Sequence, residues 1–428
     1  MKSRNRTNVL TQGDFSLNGR TYRWPDQPVV VVCVDGGDPA YFQHGVEAGF
    51  LPHVARFMGH GFDTIAQGTM PSFTCPNNIS LVTGSPPSVH GISGNFYLDP
   101  MTREALVMTG PELLRTSTIF AELAKAGGTT VVITAKDKLH RQLSKGMDFS
   151  SGSIAFSSEK ADQATAAGNG VEGVLDLVGM PLPDVYSAEL SLLVLDAGIR
   201  LLELVRPEIM YLSLSDWIQH KYAPGEAEAN RFYETLDVYF GRLDALGAVV
   251  AVTADHGMND KSRPDGSPKV VWLQDILDAH LGRGTTRVIC PITDSFIAHH
   301  GALGGFVRVW CFEGTDPDRV MAVARELPGI ERVLDKETAV RDFDLPPDRE
   351  GDVIVIGDHL TCIGTTEADH DLAGLEGRRL RSHGAVAETR VPFLLNRRLT
   401  EEYAVRAATC GIRNYEIFDY AINGTVSS

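Results

Sequence analysis

Short apolar runs alternate along the chain with stretches whose apolar positions recur every three or four residues. Residues 29–34 read Val-Val-Val-Val-Cys-Val, a continuous apolar run of strand length, and predict a strand buried on both faces. Residues 129–134, 209–214 and 248–253 predict three more strands. Between them, Leu190, Leu193, Val194, Ala197, Leu201 and Leu204 share one face of a helix over 188–205, ended by Pro207. Phe232, Leu236, Tyr239 and Leu243 mark another amphipathic helix, and 51–59 and 119–126 two shorter ones. Strands alternating with helices predict an α/β fold whose mostly parallel sheet is covered by helices on both faces.

The pattern changes after residue 304. A strand over 306–312, a helix over 318–327, a short strand over 332–334 and a polar, proline-containing stretch at 342–351 predict a small α+β cap inserted at 265–350. The core is then 1–264 and 351–428, with 352–356 expected to return to its sheet. Residues 150–170, rich in Ser, Ala and Gly, read as a loop.

Composition narrows the function classes. With 428 residues, 43% hydrophobic and 22% charged, the chain has ample length for an enzyme core and no signature of disorder. A formal charge of −16 argues against nucleic acid as a partner. The longest helical apolar stretch, 190–205, is broken by Asp196, Gly198, Arg200 and Glu203, so no membrane span is expected. The polar residues 1–28 lack the apolar segment of a signal peptide. Six widely spaced cysteines without a C-x-x-C pair fit reduced thiols and a cytoplasmic location. A homodimer is left open.

The chemistry collects at strand ends. Asp35, Asp216 and Asp255 each follow a predicted parallel strand, so all three emerge at the sheet edge where open α/β folds bind ligands. Asp216 and His220 are four residues apart and share a face of any helix begun there. His256 adjoins Asp255. Each such aspartate alone reads best as a helix cap, but three carboxylates and two imidazoles at one edge call for cations. The donors suit zinc, with manganese or iron also fitting. Upstream, Pro76 sets Thr74 near a helix N-terminus, where free N–H groups favour an anion and an ionised hydroxyl.

These segments occur in a telling order: Val32-Cys-Val-Asp35-Gly, Pro71-Ser-Phe-Thr74-x-Pro76-Asn77, Thr83-Gly84, His90-Gly91-Ile92-x-x-Asn95, Asp216-x-x-x-His220, Ala254-Asp255-His256-Gly257-Met258 and Ser382-His383-Gly384. The set resembles the alkaline phosphatase superfamily, and most closely its nucleotide pyrophosphatase/phosphodiesterase-like branch. The resemblance runs over about residues 28–425 and implies an alkaline-phosphatase-like core with two zinc ions. It assigns Asp35, Thr74, Asp255 and His256 to one ion and Asp216, His220 and His383 to the other. It makes Thr74 the nucleophile and Asn95 a donor to a phosphoryl oxygen. A hydroxide held by the metals, with Thr74 only a ligand, is an alternative attacking group. His44, His53, His299, His300, His359 and His370 have no counterpart and read as ordinary loop or surface residues, with His299 and His300 near enough to the insertion to line the site.

The superfamily acts on phosphate esters, sulfates and phosphonates, so the fold does not name the substrate. Lys136 and Lys138 flank Asp137 just beyond the 129–134 strand. If extended, they point the same way and can hold one carboxylate. They match the lysine pair with which the superfamily's C–P-cleaving members bind the carboxylate of a small anionic phosphonate. In isolation the triplet would read as a solvated turn. The alternatives are a nucleotide pyrophosphatase or phosphodiesterase on the same two metals, and a metal-dependent binding protein without activity, against which the intact Thr74 and full ligand set argue.

Overall fold

The four apolar runs form the middle of one sheet because no position in them tolerates water. In the computed structural model, which describes residues 13–99, 102–107, 110–312 and 314–426, the strands Val29–Cys33, Thr130–Thr134, Ile209–Ser213 and Val249–Thr253 are buried at every residue. They belong to a seven-stranded sheet in the order Phe62–Gln67, Arg390–Leu395, Val249–Thr253, Val29–Cys33, Ile209–Ser213, Thr130–Thr134, Ile154–Ser157. The last five are mutually parallel. Arg390–Leu395 runs antiparallel to both its neighbours.

Alternate residues of each strand feed separate cores. Val30, Val32 and Val34 pack with the helices Pro39–Glu47, Pro52–His60, Glu189–Val205 and Ala227–Ala245. Val29, Val31 and Cys33 pack on the other face with Thr74–Thr83, Ile119–Lys125 and Ile417–Ile422.

Two readings need correction. Ile154–Ser157, inside the expected loop, is a fully buried edge strand pairing with Thr130–Thr134. Four apolar-to-neutral residues among serines are too few to stand out by period. Val353–Gly357 does not return to the main sheet. It lies in a second, four-stranded antiparallel sheet ordered Thr286–Ile289, Phe306–Cys311, Val353–Gly357, Ile330–Asp335. A continuous apolar run announces burial on both faces but not which sheet buries it.

The topology decides where side chains meet. Val249–Thr253, Val29–Cys33, Ile209–Ser213 and Thr130–Thr134 are adjacent and parallel, so the residues after them leave at one edge. Arg390–Leu395, being antiparallel, begins at that edge and brings the preceding His383 with it. Phe62–Gln67 ends there and leads into Thr74.

Candidate active site

All ten sequence-assigned side chains are buried, and the strand ends bring them to that edge. His256 Nε2 lies 3.2 Å from Asp35 Oδ1 and 3.7 Å from Asp255 Oδ2. Thr74 opens the helix Thr74–Thr83, and its Oγ1 is 3.4 Å from His256 Nε2. Asp216 precedes the helix Trp217–Lys221, and its Oδ2 sits 3.1 Å from His220 Nε2, as the four-residue spacing predicts. Asp216, His220 and His383 form one group of potential donors within 4.8 Å of one another, and Asp35, Asp216 and His256 a second.

Local packing aims these groups. Nδ1 of His220, His256 and His383 lies 2.7, 2.9 and 2.7 Å from the carbonyls of Arg381, Gly257 and Ser72, which holds an N–H at Nδ1 and turns Nε2 toward the strand-end carboxylates. His256 and His383 stack at 3.5 Å between ring centres. Asp255 accepts from the Asn78 amide at 3.0 Å and from the Gly36 N–H at 3.2 Å. Asn78 in turn accepts from the Tyr211 and Ser213 hydroxyls, at 2.6 and 3.0 Å. Gly36 turns the chain after Asp35 at φ +67°, and a Cβ there would stand 3.0 Å from Met258 Cε and 3.2 Å from Gln219 Cβ. Gly36→Ala is therefore expected to lower unfolding free energy by about 2 kcal/mol in a denaturant titration, from the left-handed backbone and the crowding together.

Electrostatics test whether cations fit. Burial lowers the proton affinity of His256, but Asp255 and Asp35 outweigh it and raise the pKa to about 9. Burial and the neighbouring Asp35 push the Asp255 carboxyl well above the usual range. Lys136 Nζ lies 3.0 Å from Asp216 Oδ1 and 3.4 Å from Asp35 Oδ2, and these carboxylates overcome burial to keep its pKa well above normal. Asp35 Oδ1 is buried and makes no hydrogen bond. A pocket that drives its own inward-facing carboxylates and imidazoles to hold protons fits divalent cations in the place of those protons.

The lysine pair is not extended as expected. Lys136 occupies the position before the helix Asp137–Leu143, without a side-chain capping bond, and Lys138 lies in its first turn. Both are buried, and they diverge: Lys136 reaches Asp35 and Asp216, whereas Lys138 Nζ lies 3.0 Å from Asp294 Oδ2. Asn95 Oδ1 accepts from the Cys75 N–H at 3.2 Å, and its Nδ2 donates to Ile292 O at 3.1 Å and Asp294 Oδ2 at 3.4 Å.

One loop was read only through its two adjacent histidines. The connection between Thr286–Ile289 and Phe306–Cys311 carries Asp294, Phe296, His299 and His300 into the site. Phe296 lies 5.8 Å from Lys136 Nζ. His299 and His300 are buried, with ring centres 4.3 and 5.1 Å from that of His220; they line the site, as their place near the insertion allowed, and are not surface residues. Burial and the neighbouring His220 hold the His300 pKa down to about 3. The adjacent histidines were the available signal; nothing in the sequence singled out Asp294.

Comparison with known proteins gives this arrangement a context. The profile described as type I phosphodiesterase / nucleotide pyrophosphatase matches residues 29–384. The crystal structure of phosphonoacetate hydrolase from Sinorhizobium meliloti in complex with phosphonoformate is 46% identical, with a TM-score of 0.92, covering 96% of this chain and 99% of that one. Its complex with phosphonoacetate is 45% identical, with a TM-score of 0.91 and the same coverage. Murine ectonucleotide pyrophosphatase / phosphodiesterase 5 shares the fold at 17% identity and a TM-score of 0.62, covering 94% of this chain and 96% of that one. An uncharacterised pyrophosphatase/phosphodiesterase of Schizosaccharomyces pombe is 22% identical over 290 residues, which is 65% of this chain and 51% of that protein; the chain thus spans about half its length. The alkaline-phosphatase-like α/β fold is the one expected. No helix among the described residues is long and apolar enough to cross a membrane.

Proposed function

We propose that this chain, which belongs to the type I phosphodiesterase / nucleotide pyrophosphatase family, hydrolyses the C–P bond of phosphonoacetate to acetate and phosphate. The observation that carries this reading is a pair of buried lysines beside the carboxylate and imidazole cluster, Lys136 within 3.4 Å of two of its carboxylates. The neighbours crystallised with phosphonoformate and phosphonoacetate support it.

Two zinc ions, held by Asp35, Thr74, Asp255 and His256 and by Asp216, His220 and His383, would supply the Lewis acidity that lowers the Thr74 hydroxyl pKa and balances the phosphonate charge. Thr74 gives up its hydroxyl proton to solvent, Oγ1 attacks phosphorus in line and the C–P bond breaks. Its electron pair spreads into the substrate carboxylate as an enolate-like dianion, which takes up a proton to leave as acetate. Water then cleaves the phosphothreonine, returning the hydroxyl and releasing phosphate. The leaving carbanion is the difficult part. Lys136 and Lys138 are the cations at hand to stabilise that charge, and Lys138 keeps its Asp294 partner when metals claim the other carboxylates. Asn95 holds a phosphoryl oxygen. Six free cysteines and the absence of an apolar span among the described residues support a cytoplasmic enzyme.

Lys136→Ala is expected to lower kcat/KM for phosphonoacetate on the order of a hundredfold, while hydrolysis of a p-nitrophenyl phosphodiester changes only a few-fold. Steady-state assays with both substrates, on zinc-verified protein, make the comparison. Faster diester turnover by the unaltered enzyme, insensitive to Lys136→Ala, would replace this reading with a nucleotide pyrophosphatase or phosphodiesterase.

A further inference from the structure

The two lysines are held by different kinds of partner. Lys136 rests on Asp35 and Asp216, both members of the donor groups that fit metal ions. Lys138 rests on Asp294, which belongs to neither of those groups. A cation taken up by Asp35 and Asp216 competes with Lys136 for them, whereas Lys138 keeps its partner. Asp294 is itself fixed: its Oδ1 accepts from the Phe296 N–H at 2.6 Å, and its loop is tied to the Asn95 segment by the Asn95 N–H to Pro291 O bond at 2.8 Å. Its Oδ2 receives both Lys138 Nζ, at 3.0 Å, and Asn95 Nδ2, at 3.4 Å. One carboxylate oxygen therefore joins the group assigned to the phosphoryl end of the substrate to a group assigned to its carboxylate end. The Asn95 bond to Asp294 is the longer of the two its Nδ2 makes, and so the one a phosphoryl oxygen most readily replaces.

Resting on the phosphonate reading above, we propose that Asp294 is a positioning residue that holds Lys138 and Asn95 at a set separation and thereby selects anions with a carboxylate close to phosphorus. Burial alone would raise the Asp294 pKa, but Lys138 and Lys136 hold it below the usual carboxylate range, so the anchor stays charged. A neutral anchor would leave Lys138 buried without a counter-charge, free to turn among its rotamers.

The test compares equilibrium binding of phosphonoformate and of inorganic phosphate by calorimetry, on zinc-loaded protein with the metal content verified. Asp294→Asn removes a negative charge near both anions, so each one tightens for that general reason; the ratio of the two dissociation constants cancels the common effect. The expected result is a preference for phosphonoformate in the unaltered protein that shrinks about tenfold or more in Asp294→Asn, at unchanged zinc content. Lys138→Met should shrink it similarly, and the double variant Asp294→Asn/Lys138→Met, which buries no unpaired charge, should shrink it no further than Lys138→Met alone. A preference that survives Asp294→Asn, or losses that add in the double variant, would overturn the role of Asp294 and leave the phosphonate reading standing. No preference in the unaltered protein would instead remove the lysine–carboxylate reading, and the role of Asp294 with it.

Discussion

Thr74→Ala is expected to reduce kcat for phosphonoacetate on the order of a thousandfold or more while leaving the fold in place. The reaction needs a nucleophile in line with the C–P bond, and Thr74 Oγ1 stands at the N-terminus of a helix buried along its whole length, 3.4 Å from His256 Nε2. The structural cost is small because Thr74 does not cap its helix; Phe73 occupies that position. What is lost is one buried methyl and one long polar contact, about 1 kcal/mol together. Thermal unfolding should shift by only about one degree, whereas turnover collapses. Thr74→Ser keeps the hydroxyl and should retain activity within about tenfold. Near-normal turnover by Thr74→Ala with two zinc ions bound would make water the attacking group and Thr74 a ligand alone.

How far the site was legible depends on what kind of residue signals it. Asp35, Asp216 and Asp255 could be placed because each ends a continuous apolar run, and parallel strands release their ends on one side. The His220 spacing followed from helix geometry. His383 came only through the family resemblance, since the antiparallel strand that carries it toward the edge was not visible in the pattern. Asn78, which orients Asp255, was hidden for another reason: in sequence it is one polar residue on a helix, and only burial shows that its amide must be satisfied. Asp294 and His299 lie in a loop between two strands of the second sheet, and no periodicity places a loop against a distant strand end. The lysine pair was legible as a pair but not as two unequal members, because a strand-to-helix junction separates them, Lys136 lying before the helix and Lys138 inside it. The charge of −16 says little about this pocket, where the buried acids are paired with Lys136, Lys138 and His256.

His383→Ala and Asp216→Ala are expected to empty the same zinc site, but they should differ in what they do to the metal-free protein. His383 is buried, and burial next to His256 holds its pKa well below normal, so it is neutral. Removing it forfeits the bond to Ser72 O and the stack on His256, a loss of about 2 kcal/mol without an exposed charge imbalance. Asp216 instead carries the carboxylate nearest to Lys136, at 3.0 Å, and its other oxygen lies 3.1 Å from His220 Nε2. Its removal leaves Lys136 buried with only the longer 3.4 Å contact to Asp35, and breaking a buried pair in this way costs about 3 kcal/mol or more. The metal-free Asp216→Ala protein should therefore unfold at lower denaturant than metal-free His383→Ala. In the presence of zinc both variants should bind about one ion per chain in place of two and lose turnover on the order of a thousandfold, because the remaining donors still serve the other ion. Elemental analysis of dialysed protein, paired with chemical denaturation of the metal-free forms, separates the two effects. Two zinc ions per chain in both variants would show that Asp216 and His383 do not share an ion, whatever happens to the rate.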